Sequence, residues 1–289
     1  MRRPEIDALC AEIVPGTGGV HMQRLSAGLV HESYRVTRDG HEYSLRLPIA
    51  DAGAIALDRA WEAQLLELAA QARLAPTVRY QDAARGILLS DWLAGQTWDA
   101  GQVESHAGLA RIALLLRAVH ALPIPLPAHA MSPVDWVRHY DSSSAVAAPK
   151  HRSMAADRLQ QWAALPAAAP VVCHGDLHAL NLVQSGDSLR LLDWEYAHVS
   201  EAFWDLAGWC ANGDLDDGAR RRLLECYLAR PATAQQWRRL ELSSWLYDYI
   251  CLQWSALYLS HGRQPAPSSA ASIAARAALL DARLSLPAN

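Results

Sequence analysis

The spacing of apolar positions changes character once along this chain. Up to about residue 95 they fall in short, partly alternating runs that predict strands: VHMQRLSAG (20–28), ESYRVTR (32–38) and HEYSLRLP (41–48). Asp39-Gly40, between the last two, is suited to a tight hairpin turn. One helical stretch follows, with Leu57, Trp61, Leu65 and Leu68 on a repeating face and Pro76 beyond its end. TVRYQD (77–82) and GILLSDWLAG (86–95) then read as two more strands joined near Arg85-Gly86, giving the order β-β-β-α-β-β. Beyond Gly95 the period is helical, over Val103–Ala121, about Pro133–Tyr140, about Arg152–Leu165, and again towards the end of the chain. The expected class is therefore α+β. A small β-rich lobe over 1–95, a five-stranded antiparallel sheet plus one helix, would precede a larger helical lobe over 96–289.

The helical half is interrupted by VVCHGDLHALNLVQSGDSLRLLDWEYA (171–197), where His, Asp, Asn and Glu stand between apolar pairs that look buried. Asp176 and Asn181 are five apart, and Asp193 ends a second apolar strand twelve residues further on. Successive strands and loops of this kind would bring the three oxygen-bearing side chains to one edge. The spacing matches the protein-kinase pattern H-x-D-L-x-x-x-N followed by a metal-binding Asp. Phosphoryl transfer explains the residue types. Mg²⁺ takes hard oxygen donors, here Asn181 and Asp193, to neutralise phosphate charge, and a carboxylate, here Asp176, takes the proton of the attacking hydroxyl. ATP and Mg²⁺ are the expected cofactors.

Composition narrows the picture. Hydrophobic residues make up 51% of the 289, the formal net charge is -4 and the pI is near 6.3. These values fit a globular chain and offer no broad basic surface for nucleic acid or an anionic membrane. The five Cys (10, 173, 210, 226, 251) form no C-x-x-C pair, so neither a disulfide framework nor a zinc site is expected. Glu5 and Asp7 interrupt the start where a signal peptide needs an apolar core, and no long apolar run offers a membrane span. A cytoplasmic location is expected.

HGDLHALN, LLDWEYA and WDLA together closely resemble the aminoglycoside phosphotransferase and choline kinase superfamily, especially its choline- and thiamine-kinase-like members. The resemblance implies a protein-kinase-like two-lobe fold and ATP-dependent phosphorylation of small-molecule hydroxyls. It makes Asp205 a structural residue bonding the catalytic-loop backbone, gives His174 a bracing role, and leaves His178 unassigned. A kinase also needs a phosphate-covering turn, for which SAGLVHESYRV offers Gly28 and Ser33. Arg46 in β-like YSLRLP stands where protein kinases use Lys, as it does in the choline-kinase-like branch, and can grip phosphate through its planar fork. Its expected acidic partner is Glu62, with Glu67 as the rival. LLSDWLAG would be the adenine hinge, through the backbone of Asp91 and Leu93.

Asp205 follows Asp193 by only twelve residues, and no A-P-E sequence closes an activation segment there, so a protein substrate is not expected. The acceptor site is expected on the C-terminal helices. SSWLYDYICLQWSALYLSHG (243–262) puts Tyr247, Trp254 and Tyr258 on one helical face, with Trp245, Asp248 and Tyr249 beside it. Aromatic faces next to a carboxylate suit a quaternary ammonium or thiazolium cation. Trp209 is a further candidate wall, and Glu195 a candidate for facing metal or acceptor. The reading is an ATP- and Mg²⁺-dependent kinase of choline, ethanolamine or thiamine. The alternatives are an aminoglycoside or sugar kinase of the same superfamily and a catalytically silent kinase-fold binding protein.

Overall fold

A computed structural model describes residues 3–25, 31–49, 57–143, 149–260 and 267–285. They divide into two compact units. The first comprises Met1–Thr97 together with Leu180–Ala197, so a single cut near Gly95 leaves out a segment that packs with the sheet.

In the first unit α1 (Arg3–Ile13) precedes β1 (His21–Arg24), β2 (His31–Arg38), β3 (His41–Pro48), α2 (Arg59–Gln71), β4 (Val78–Asp82) and β5 (Ile87–Asp91). The five strands form one antiparallel sheet in the order β1-β2-β3-β5-β4. Asp39 (φ 50°) and Gly40 (φ 77°) both take positive φ in the turn joining β2 and β3, as a twist-matched hairpin requires. The helix α1 is an addition to the expected order. Its Ile6, Leu9, Cys10 and Ile13 recur at helical spacing and pack with Met22, Tyr34, Val36, Tyr43, Leu45, Leu47, Ile87 and Leu89. Burying a side chain of that size contributes about 1.5–3 kcal/mol, so α1 is part of the core of this unit. Asp58 starts α2 by accepting the Trp61 N–H, which turns Trp61, Glu62, Leu65, Leu66 and Ala69 inward.

A second, three-stranded sheet completes the first unit, with β6 (Gln96–Thr97) against β8 (Leu182–Ser185) and β8 against β9 (Ser188–Leu191). A Cβ on Gly95 would lie 2.3 Å from the Gln184 carbonyl oxygen, so only glycine allows this approach. The Leu191 N–H donates to the Leu74 carbonyl at 2.7 Å, tying β9 to the segment after α2.

The second unit, Trp98–Ala179 with His198–Asn289, is mostly helical. The expected helix over Val103–Ala121 is two, α3 (Ala100–Glu104) and α4 (His106–His120), because Ser105 leaves helical geometry and caps α4 through the Gly108 N–H. Then come α5 (Pro133–Ser143), α6 (Pro149–Ala163), β7 (Pro170–Cys173), β10 (His198–Glu201), α7 (Ala202–Asn212), α8 (Asp217–Leu228), α9 (Ala234–Ser260) and α10 (Pro267–Leu284). Strands β7 and β10 pair antiparallel, and α7 is buried from Phe203 to Ala211. No helix among the described residues is long and apolar enough to cross a membrane.

Candidate active site

The first unit gathers a charged cluster around Arg46. On β3, Arg46 lies opposite Ser33 of β2 and between inward-facing Leu45 and Leu47, with 7% of its surface exposed. Its Nη2 donates to Glu62 Oε1 at 2.5 Å, and its Nη1 to Asp193 Oδ1 at 3.2 Å. Glu67 instead sits on the exposed side of α2, where it accepts a bond from Gln71. Arg59 Nη1 bridges Glu62 Oε2 (2.8 Å) and Glu195 Oε2 (2.9 Å). His31 stands 3.6 Å from Glu195 and 3.9 Å from Asp193. Burial alone would lower the Arg46 pKa, but Glu62, Asp193 and Glu195 outweigh it and raise the value. Burial likewise opposes the ionised Glu195, yet His31, Arg46 and Arg59 hold its carboxyl down at about 2.

Backbone geometry delivers the acids. Asp193 follows β9 with φ 60°, a left-handed conformation that Asp tolerates better than most residues but that still costs about 1 kcal/mol or more. Asn181 is buried at the end of a 3-10 turn, and its carbonyl accepts the N–H of Leu192, the neighbour of Asp193. The three carboxylates (Glu62, Asp193, Glu195) thus converge on the two guanidiniums of Arg46 and Arg59. Ser33 lies in β2, and its carbonyl accepts the Leu25 N–H. Gly28 lies outside the described residues. Asp91 closes β5 with its N–H on the Thr77 carbonyl and its carboxylate on Arg79, and Leu93 follows half-buried.

The second unit holds the HGDL loop by hydrogen bonds to its backbone. Asp205 of α7 is 1% exposed; Oδ2 accepts the His174 N–H (2.8 Å) and Oδ1 the Gly175 N–H (2.9 Å). His120 of α4 lies with Nε2 3.1 Å from Asp205 Oδ2 and Nδ1 2.8 Å from the Tyr227 hydroxyl. Burial opposes the Asp205 charge, but the His120 bond, with His174 and Gly175, keeps its pKa below the usual range. Burial pushes the Tyr227 phenol up to about 12. Gly175 takes φ 82°, and the Asp176 N–H points to His174 Nδ1 at 3.3 Å, which places the His174 proton on Nε2. The Asp176 carboxylate is 31% exposed, with His178 Nε2 3.5 Å away.

The expected acceptor residues have partners within the second unit. Tyr249 is fully buried, donates to Asp141 at 2.6 Å and stacks on Trp245. Asp248 accepts from Arg283 at 2.8 Å, although burial raises its pKa against that pairing. Trp209 is buried edge-on to Trp98, and Trp254 stacks on Tyr258. Tyr140 of α5 and Tyr247 of α9 have pKa values raised by burial first, and both also feel the Asp176 charge. Sequence reasoning missed Arg59, His31, His120 and Tyr140. Arg59 was accessible, because it precedes Glu62 by three residues on one helix. His120 meets Asp205 across 85 residues, and nothing local marks it.

The family described as "Phosphotransferase enzyme family" matches residues 21–242. A thiamine kinase of Escherichia coli (strain SMS-3-5 / SECEC) is 40% identical over 70 residues, which are 23% of this chain and 24% of that one. The chain thus aligns with about a quarter of the length of such curated relatives. Among solved structures, a choline/ethanolamine kinase family protein from Mesorhizobium loti superposes with a TM-score of 0.76 at 23% identity, covering 99% of this chain and 96% of that one. The choline kinase LicA from Streptococcus pneumoniae gives 0.78 at 18%, covering 97% and 98%. These two likenesses establish the kinase-like fold.

Proposed function

The chain belongs to the phosphotransferase enzyme family, and from that premise we propose that it transfers the γ-phosphoryl group of ATP, with Mg²⁺, to the hydroxyl of a small cationic alcohol of the choline, ethanolamine or thiamine type. The observation that carries this reading is the buried Arg46–Glu62 pair with Asp193 on the same guanidinium. An arginine fixed in this way presents its charge to phosphate in one orientation. Asn181 and Asp193 offer the hard oxygen donors that a divalent cation such as Mg²⁺ takes. When bound, Mg²⁺ supplies charge neutralisation at the β- and γ-phosphate oxygens. Gly28 and Ser33 cover the phosphates in this reading, and the backbone of Asp91 and Leu93 receives the adenine.

Asp176 accepts the proton of the acceptor hydroxyl. Its carboxylate is partly exposed while Asp205 holds the N–H groups of His174 and Gly175 and His174 Nδ1 accepts its own N–H, the combination a positioned base requires. A small acceptor is supported by the path from Asp193 to Asp205, where a 3-10 turn, β10 and the start of α7 leave no loop on which to lay out a peptide. A cationic acceptor would be favoured beside the partly exposed Asp176 carboxylate. The names of the thiamine and choline kinase relatives are in keeping with it.

The test is an acceptor panel of choline, ethanolamine, thiamine, kanamycin and N-acetylhexosamines with γ-labelled ATP and Mg²⁺. Transfer to one of the first three is expected. Label appearing only on kanamycin or a hexosamine overturns the acceptor assignment, and absence of transfer with intact nucleotide binding overturns the enzymatic one.

A further inference from the structure

Asn212 ends α7, seven residues after Asp205, and so lies two turns further along the same side of the helix. Asp205 takes the N–H groups at the start of the HGDL loop. Asn212 reaches its other end, where Nδ2 donates to the Leu177 carbonyl at 2.9 Å, with the Tyr247 hydroxyl at 3.2 Å. The oxygen of the same amide accepts from Arg276 Nη2 of α10 at 3.1 Å. Arg276 and Arg283 also donate to the Ala211 carbonyl in the last turn of α7, at 3.4 and 3.3 Å, so two cations stand at the negative end of that helix.

The neighbours decide which way the Asn212 amide faces. A guanidinium can only donate a hydrogen bond and a peptide carbonyl can only accept one. With the amide turned over, its NH₂ would face Arg276 and its oxygen would face the Leu177 carbonyl, replacing two attractive contacts with two repulsive ones. Arg276 therefore selects the orientation in which Asn212 can hold the loop.

We propose that Asn212 and Arg276 form a second clamp on the catalytic loop, making both positioning residues for transfer and coupling the C-terminal helix to the base. The inference rests on the reading above, in which Asp176 is that base. Asp176 stands between His174 and Gly175, fixed by Asp205, and Leu177, fixed by Asn212, so its backbone is restrained from both sides. A displacement of about 1 Å at such a group can cost on the order of a hundredfold in rate.

The experiment uses full-length Asn212→Asp and Arg276→Met with two readouts. The first is amide hydrogen exchange in peptides covering 174–178, and the second is the separation of kcat from the nucleotide KM on the best acceptor. Asn212→Asp can keep its pairing to Arg276 but sets a carboxylate oxygen against the Leu177 carbonyl. It is expected to speed loop exchange and to lower kcat by about tenfold or more, with KM within about twofold. Arg276→Met is expected to move both in the same direction by less. Unchanged loop exchange in a folded Asn212→Asp overturns the clamp, as does a rise in KM without a fall in kcat. Should that variant not fold, unchanged exchange in Arg276→Met overturns it instead. If the wild type transfers phosphate to no acceptor, the kinase reading fails while the exchange measurement still decides the clamp.

Discussion

In the first unit, five charged side chains from β3, α2 and the segment after β9 pair with one another around the buried Arg46 and Glu62. In the second, the acid on α7 spends its hydrogen bonds chiefly on backbone N–H groups and one imidazole. Losing a partner has different consequences in the two places. Removing one member of the charge cluster strands another charge in a low-dielectric site, which costs folding energy. Altering the loop and its supports mainly misplaces or removes the proposed base, which would cost rate and leave the packed helices standing.

Substitutions can break or sharpen that contrast. The largest effect is expected at Asp176→Ala. Steady-state kinetics should show kcat lower by roughly 10²–10⁴-fold, with the melting temperature and nucleotide KM close to wild type. A matching collapse of nucleotide affinity would contradict the role proposed for Asp176. Next, Glu62→Ala should leave Arg46 buried with only part of its compensation. Urea unfolding should then show a loss of about 3–5 kcal/mol, and a loss below about 1 kcal/mol would mean that Asp193 and Glu195 suffice for Arg46.

The smallest effect is on pH dependence. The Glu195 carboxyl is held at about 2, below its ordinary 4.5, so the folded state prefers the ionised form. Its contribution is fully present above about pH 4.5 and is lost as pH falls towards 2, up to on the order of 3 kcal/mol. Unfolding midpoints measured from pH 7 downwards should therefore fall less steeply for Glu195→Gln than for wild type. Parallel curves would show that Glu195 adds no acid sensitivity.

Much of this arrangement could be read from the residues. Asp39-Gly40 announced its turn through the need for two positive φ values, and Arg46 stood out as a cation on the third strand, where the kinase pattern asks for one, inside an otherwise apolar run. The acid at Glu62 rather than Glu67 followed from the resemblance, which places it in the first half of the helix. Helix α1 carries ordinary amphipathic spacing at Ile6, Leu9, Cys10 and Ile13, but inspecting that segment only for a targeting signal passes over it. The aromatic residues of α9 were harder. Helical spacing groups Trp245 and Tyr249 near one face, yet it says nothing of Asp141 on α5, whose carboxylate engages the Tyr249 hydroxyl. Asn212 and Arg276 were beyond reach for the same reason, since their pairing spans 64 residues and two helices.

The return of Leu180–Ala197 to the first unit has a practical meaning for dissection of the molecule. A fragment stopping near residue 95 would carry Arg46, Arg59 and Glu62 but neither Asp193 nor Glu195, so it would hold two arginines opposite a single acid. The complementary fragment would contain both missing acids without Arg46 and Arg59 to receive them. Mixing separately expressed halves is therefore the condition under which each would regain its counter-charges, and neither alone is a faithful miniature of the first unit.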